Sequence, residues 1–230
     1  QDDDPALMRL RRAAAYQAYY EHLPLPRRAL PFGADLRLYG QRTFGDLVNV
    51  LLLDERQYRA PHACPRPGAR GGNRVRLSNC PELLDESRSM LGTRQETWLG
   101  AQLRQSKTRW NLLAQGVVMM PLDEDPGEER VYWSDGWNGY PAARQRLLQQ
   151  LQESRVTNPL ILSGDIHAFV AGDLPADPRV AESPPVASEL VTTSISSQLV
   201  SHELMQRYRS TNGNVRYASA ERRGYLRFDI

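Results

Sequence analysis

The chain has 230 residues, of which 40% are apolar and 24% are charged, and these proportions are ordinary for a globular protein. It carries 29 basic and 27 acidic residues, a formal net charge of +2, which excludes nucleic-acid binding through bulk charge and an acidic disordered protein. No apolar stretch approaches the roughly 20 residues of a membrane-spanning helix.

Helical and extended patterns alternate along the chain. Capping residues and apolar residues at helical spacing predict helices over residues 5–22, 93–106, 141–153 and 199–209. Short apolar or alternating segments predict strands over residues 35–39, 47–53, 110–120, 160–163, 169–174, 189–193 and 224–230. A turn is expected over residues 40–45, and a loop rich in Pro, Gly and Arg over residues 60–82. The alternation predicts a layered α/β protein with no linker long enough for an internal domain boundary.

Two of the predicted helices have recognisable N-terminal signals. Asp4 is a favourable N-cap and Pro5 suits the first helical position. Thr93 is followed three residues later by Glu96, which is the pattern of a capping box. Both signals therefore predict where a helix begins.

The two cysteines, Cys64 and Cys80, lie within the predicted loop. A disulfide there would restrict the unfolded chain and staple the loop, whereas two free thiols would be expected in a reducing compartment. The sequence leaves both possibilities open. No signal peptide is visible, and because the first residue is Gln1 rather than Met, we expect a processed chain or a fragment.

The clearest local candidate for a site is the segment that follows the strand at 160–163. Asp165 and His167 come directly after that strand, and ligands bind at strand ends in open α/β sheets. Both residue types are ligands for divalent metals, and a spacing of two in an extended chain would put both side chains on one side. The alternative is an ordinary turn in which the Asp bonds its own backbone and the His is incidental.

Two further segments could bind an anion. Arg56 follows the strand at 47–53, and its planar guanidinium suits phosphate; the alternative is a surface salt-bridge cluster of little energetic value. Asp135 and Asn138 lie in a loop with two glycines just before the helix at 141–153. Such a loop can bring polar groups and backbone amides to an anion, but it is also typical of a turn whose aromatic residues seal the core.

Taken together, six short segments resemble, in order, blocks of the PhoD-like alkaline phosphatase and phosphodiesterase family of the metallophosphoesterase superfamily. They are residues 11–24, 53–59, 88–99, 135–141, 163–167 and 189–197. Residues 53–59 are similar to the family's Leu-Asp-x-Arg-Gln-Tyr-Arg, and residues 164–167 to its Gly-Asp-x-His. Each block is short, but six in the right order along nearly the whole chain are specific.

The resemblance implies a two-sheet sandwich flanked by helices, with metals at the strand ends. It implies hydrolysis of phosphate esters by a metal-activated hydroxide, in which two or more cations neutralise the phosphate. Asp165 and His167 are then the expected metal ligands and catalytic residues, joined by Arg56, while Arg56, Asp135 and Asn138 are expected to bind substrate. The expected cofactors are divalent or trivalent ions, calcium with iron or another metal pair. Family members are often exported, so a periplasmic or secreted location is expected.

Two departures from the family pattern shape the remaining expectations. The family's early metal-binding blocks are not found here, so residues 1–230 are expected to be the C-terminal portion of a single catalytic domain. We expect this portion to pair with the N-terminal half of the same protein. Residues 212–214 read Asn-Gly-Asn where the family tends to have Asn-Pro-His, which removes a His near the expected site. The alternative function is therefore a non-catalytic relative or fragment that binds a phosphate-bearing ligand.

Overall fold

The computed structural model describes residues 4–68, 71–125, 127, 129–178, 180 and 182–230. They form two compact units, one ending at Gly40 and the other running from Gln41 to Ile230. Within the described residues, no helix combines the length and the apolar character needed to cross a membrane. The expectation of one domain over the whole chain stays a prediction.

The first unit contains helix α1, Pro5–His22. The prediction of its start is confirmed, because the Asp4 carboxylate accepts a hydrogen bond of 2.8 Å from the Ala6 amide. The strand predicted over residues 35–39 is wrong: among the described residues, the pairing there is limited to one isolated bridge between Phe32 and Asp35. The alternation reflects one-sided burial of side chains such as Leu36, and this segment has no partner strand for a ladder.

Nine strands are described, and most belong to one large sheet. They are β1 (Gly40–Phe44), β2 (Val48–Leu52), β3 (Arg74–Arg76), β4 (Trp110–Ala114), β5 (Val131–Trp133), β6 (Pro159–Ser163), β7 (Phe169–Pro175), β8 (Pro185–Val191) and β9 (Val215–Ser219). Seven strands form a sheet in the order β1-β2-β4-β6-β8-β7-β9, and β3 and β5 form a separate ladder. Strands β2, β4, β6 and β8 are mutually parallel, while β7 runs antiparallel to β8 and β9.

Three more helices, α2 (Gly92–Gln105), α3 (Pro141–Glu153) and α4 (His202–Thr211), pack on the strands of the second unit. Apolar side chains from these helices and from the central strands form one continuous core. Leu147, Leu148 and Leu151 of α3 are buried in it, as their helical spacing predicts. The predicted α/β class is therefore confirmed. The resemblance implies a sandwich of two sheets. The described residues form one seven-stranded sheet and a second sheet of two strands, β3 and β5.

Several predicted boundaries differ from the structure. Thr93 does not cap α2, because the helix begins one residue earlier and the Ser89 hydroxyl accepts the Gly92 amide at 2.7 Å. That hydroxyl donates in turn to Glu96 at 2.5 Å, so Glu96 bonds Ser89 and not the N-terminus of the helix at Thr93. Residues 224–230, all of them described, form no strand; the last of the described strands is β9, which pairs with β7.

Candidate functional site

The candidate site lies at one edge of the large sheet. Because β2, β4, β6 and β8 are parallel, their carboxyl ends meet at the same edge. Arg56 lies in the loop after β2, and Asp165 and His167 lie in the loop after β6. Asp135 reaches the same edge from the loop before α3, since it bonds directly to Arg56.

Asp135 is the centre of a cluster of positively charged and donor groups. Its carboxylate accepts from Arg56 Nη1 at 2.6 Å and from His62 Nε2 at 2.9 Å, and it pairs with Arg59 Nη1 at 3.0 Å. Burial alone would raise the pKa of Asp135, but the hydrogen bond and charge of Arg56, with Arg59 and His62, bring that pKa below its ordinary value. The Asp135 carboxylate is therefore held as an anion whose oxygens are already engaged.

Gly72 and Asn73, just before β3, are packed tightly against the loop that carries Asp135. A Cβ added at Gly72 would lie 2.6 Å from the Asp135 Cβ, so only glycine allows this approach. The Asn73 amide donates to the Ser134 hydroxyl at 3.0 Å, next to the β3–β5 ladder. This packing holds the backbone of the 71–73 segment against the Asp135 loop.

A disulfide joins Cys64 to Cys80 across this loop, with their Cα atoms 6.0 Å apart. The structure therefore resolves the two possibilities that the sequence left open in favour of the bond. Closing a loop of this length contributes about 3 kcal/mol in the chain-entropy model. The bridge begins two residues after His62, and so it fastens the segment that presents the His62 ring to Asp135.

Arg56 links the two carboxylates of the site. Its Nη1 donates to Asp135 at 2.6 Å, and its Nη2 lies at a longer 3.5 Å from Asp165. Its backbone amide donates to Asp54 at 3.0 Å, which fixes the turn after β2. Burial lowers the pKa of Arg56, but the contact with Asp135 outweighs it, so the pKa lies above its ordinary value. The guanidinium is half-exposed at this edge.

Asp165 and His167 do not lie in an extended segment, and this part of the prediction is wrong. Both have left-handed backbone angles, with φ of 78° and 57°, a conformation uncommon outside glycine but several-fold enriched in Asp and His. They nevertheless line the same cleft. The His167 Nδ1 lies 2.9 Å from the Gln198 carbonyl oxygen. Because a carbonyl can only accept, Nδ1 carries the proton, and Nε2 of the neutral ring keeps a lone pair for a ligand.

Asn138 uses both ends of its amide within the protein. Its Nδ2 donates to the Leu122 carbonyl at 2.8 Å, and its Oδ1 accepts from Arg144 at 2.7 Å. Arg144 is itself buried and donates to the Met119 carbonyl at 3.2 Å. Asn138 thus joins the loop before α3 to the segment that follows β4.

A cleft of about 400 Å³ collects four of the five sequence-predicted residues. Asp135, Asn138, Asp165 and His167 all contribute to its lining, and Arg56 bonds two of them. A cleft of this size at the carboxyl edge of a parallel sheet is typical of a small-molecule site.

Sequence reasoning missed two polar residues at or near this edge, His62 and Glu189. His62 is paired with Asp135 at 2.9 Å, and no local pattern in the sequence marks it. Glu189 is fully buried in β8 and accepts from the Met119 and Met120 amides and the Ser163 hydroxyl. Burial raises its pKa to about 7. A Glu inside a mostly apolar strand is the signal that could have found it.

The residues present fit part of a metal site. A carboxylate oxygen at Asp165 and a free imidazole nitrogen at His167 suit a divalent cation, and the carbonyl behind His167 is the usual support of a ligating imidazole. The described residues contain no cluster of three or more His, Cys, Asp or Glu side chains that could hold an ion. This chain therefore offers a partial ligand set.

The large sheet thus gathers carboxylate, imidazole and guanidinium groups at the ends of its parallel strands, the place where open α/β sheets bind ligands. A family model described as PhoD-like phosphatase matches residues 1–230. The chain belongs to the PhoD-like phosphatase family, which confirms the resemblance found in the sequence.

Two relatives support this assignment. Alkaline phosphatase D of Bacillus subtilis (strain 168) is 39% identical over 188 residues, which cover 82% of this chain and 31% of the relative. A solved structure titled "Structure of PhoD" matches with a TM-score of 0.86 and 33% identity, over 97% of this chain and 42% of the other. The chain thus spans between about a third and two fifths of the length of these relatives. Neither match supports the alternative of a non-catalytic binding protein.

Proposed function

We propose that the protein containing these 230 residues is a metal-dependent phosphate-ester hydrolase. The observation that carries the proposal is the family match over residues 1–230. The edge of the sheet supports the proposal, because potential metal ligands lie there beside a guanidinium that can donate hydrogen bonds to a phosphate oxygen. The substrate is accordingly a phosphate mono- or diester.

Asp165 and His167 are the metal-holding residues in this proposal, and they act next to the reacting phosphate. A bound cation would neutralise phosphate charge and lower the pKa of a water molecule beside it. Calcium with iron, or another pair of divalent or trivalent ions, is the proposed content. Two side chains are fewer than the four to eight ligands such ions take. We therefore assign the remaining ligands to the N-terminal part of the same protein, as the partial coverage of the relatives suggests.

Arg56 is the proposed phosphate-binding and catalytic cation. Its short bond to Asp135 fixes the guanidinium, while the longer contact of Nη2 with Asp165 can be replaced by a phosphate oxygen. Asp135 thus serves substrate binding by orienting Arg56, and Asn138 serves it by holding the loop that carries Asp135. Each of these roles follows from the partners that the side chain already has.

A periplasmic or secreted location is part of the proposal. The Cys64–Cys80 disulfide supports it, since such bonds persist mainly in oxidising compartments. With a net charge of +2, binding to nucleic acid by bulk charge plays no part.

The test is hydrolysis of 4-nitrophenyl phosphate and bis(4-nitrophenyl) phosphate by the intact protein. We expect turnover of at least one ester, loss of turnover after chelation, and recovery when Ca²⁺ and Fe³⁺ are returned. A His167→Ala variant should remain folded by circular dichroism and lose at least about a hundredfold in kcat/KM. If the metal-loaded protein cleaves neither of the two esters, the proposal is wrong.

A further inference from the structure

The cleft beside Asp165 and His167 has a largely apolar wall. Besides the polar residues of the site, its lining includes Trp133, Ile166, Val200 and Leu204. Trp133 is 43% exposed, and the three aliphatic side chains are partly buried against the main core. They therefore present apolar surface to the cleft while the core supports them from behind.

Three other polar side chains in the lining, those of Tyr208, Glu124 and Asn138, already have hydrogen-bond partners. The Tyr208 hydroxyl donates to the Glu124 carboxylate at 3.2 Å, and the same carboxylate also accepts a hydrogen bond from Arg74 Nε at 2.6 Å. Asn138 is bonded to Leu122 and Arg144. A hydroxyl-rich group in this part of the cleft would exchange water for side chains whose hydrogen-bonding capacity is partly used, whereas an apolar group needs no such partner.

We propose that this apolar wall binds an apolar ester group of the substrate, an alkyl or aryl group attached to the phosphate held at Asp165, His167 and Arg56. The inference rests on the proposed function, since it concerns the same site. It is carried by the continuity of the apolar wall with the site residues in one cleft. A volume of about 400 Å³ lies within the range of pockets that enclose small organic ligands.

The experiment measures binding of inert probes to the intact, metal-loaded protein by titration calorimetry. The probes are inorganic phosphate, methylphosphonate, butylphosphonate and hexylphosphonate, each below its micellar concentration. Since a buried methylene stabilises binding by about 0.8 kcal/mol, roughly fourfold in Kd, partial burial of the hexyl chain should lower Kd at least about tenfold relative to methylphosphonate.

Two variants on the apolar wall keep the test independent of any one substitution. Leu204→Gln and Trp133→Gln should each reduce the gain from chain length by at least about threefold and leave the Kd for inorganic phosphate unchanged. The matched control is Leu84→Gln, because Leu84 is 58% exposed and does not line the cleft. It should behave as the unchanged protein does.

The outcomes separate the two proposals. If phosphate and all phosphonates bind with similar Kd, or if both wall variants keep the full chain-length dependence, the apolar subsite is wrong and the proposed hydrolase stands. If neither phosphate nor any phosphonate binds and no ester is cleaved, the proposed function fails and the subsite fails with it.

Discussion

Two carboxylates at the same edge of the sheet have opposite surroundings. Asp135 is 17% exposed and is held by Arg56, Arg59 and His62 at 2.6–3.0 Å. Asp165 is 37% exposed, and among the described residues its one polar contact is the 3.5 Å approach of Arg56. A carboxylate with its oxygens engaged can orient its neighbours, whereas one with open lone pairs can bind a ligand.

The same contrast holds for the two histidines. The Nε2 of His62 donates a hydrogen bond to Asp135 at 2.9 Å. In His167 it is Nδ1 that donates, to a backbone carbonyl, and Nε2 remains available for a ligand. The cleft edge thus has a preassembled side, around Asp135, and an open side, around Asp165 and His167. The following predictions test whether this division describes how the site works.

The largest expected effect is on metal content. An Asp165→Ala, His167→Ala double variant of the intact protein should lose at least one equivalent of metal, because both proposed ligands are removed. Asp135→Asn should keep its metal, since that carboxylate is engaged by side chains. Elemental mass spectrometry of the purified proteins measures both. If the double variant and the unchanged protein contain the same amount of metal, Asp165 and His167 are not the metal ligands. If only Asp135→Asn loses metal, the ligands lie on the preassembled side instead.

The second prediction concerns Arg56, which joins the two sides. Arg56→Ala should lower kcat/KM for a phosphate ester by about a hundredfold, the range seen when one preorganised donor to a reacting anion is removed. Arg56→Lys should recover only part of this loss, because an ammonium cannot bond Asp135 and a phosphate oxygen through a rigid fork.

The matched control for Arg56 is Arg227→Ala, because Arg227 is 76% exposed and pairs with Asp229. It should leave steady-state kinetics unchanged. If Arg56→Ala alters neither kcat nor KM, Arg56 belongs only to a surface ion-pair cluster.

The third prediction concerns the Cys64–Cys80 disulfide, which lies next to the preassembled side of the cleft edge. Replacing Cys64 and Cys80 by Ser should lower the free energy of unfolding by about 3 kcal/mol, measured by urea denaturation. Because the disulfide fastens the segment that carries His62, its removal should loosen the preassembled side and leave the open side unchanged. Metal content should therefore stay unchanged as KM rises. A loss of metal together with stability would show that the two sides are not separable.

The sequence predicted elements whose signals are local. Helix α3 and strand β6 lie where Pro141 and the apolar run at 160–163 indicate. Strands β3 and β5 were missed, since each has three residues and is defined only by its partner in the other segment. A pattern that depends on pairing between distant segments has no local signature in either one.

The residues that meet at the candidate site could be chosen from the sequence, but their geometry could not. Asp165, His167 and Arg56 were identified because they follow buried strands, and the parallel sheet then brings them together. The left-handed backbone of Asp165 and His167 could not be inferred from their spacing. His62 was missed because its partner, Asp135, is 73 residues away and only the folded loop brings the two side chains together.

The smallest predicted effect concerns Glu55, a third carboxylate at this edge that fits neither class. It is 4% exposed; its Oε2 accepts from the Gly116 amide at 3.2 Å, and its Oε1 has no hydrogen-bond partner. Burial raises the pKa of Glu55 from its ordinary value of 4.5 to about 7. The folded protein therefore keeps this proton up to about pH 7, whereas the unfolded chain releases it near pH 4.5.

Because the folded state binds more protons in that window, the Glu55 contribution to stability falls as pH rises from about 4.5 to about 7 and is constant above it. Glu55→Gln stays neutral, so its stability relative to the unchanged protein should rise between pH 5 and pH 8, by on the order of 2 kcal/mol. Urea denaturation at both pH values measures the difference, and Glu86→Gln, at an exposed position, is the control. A pH-independent difference for Glu55→Gln would mean that Glu55 is ionised in the fold and is stabilised there by its neighbour Arg56.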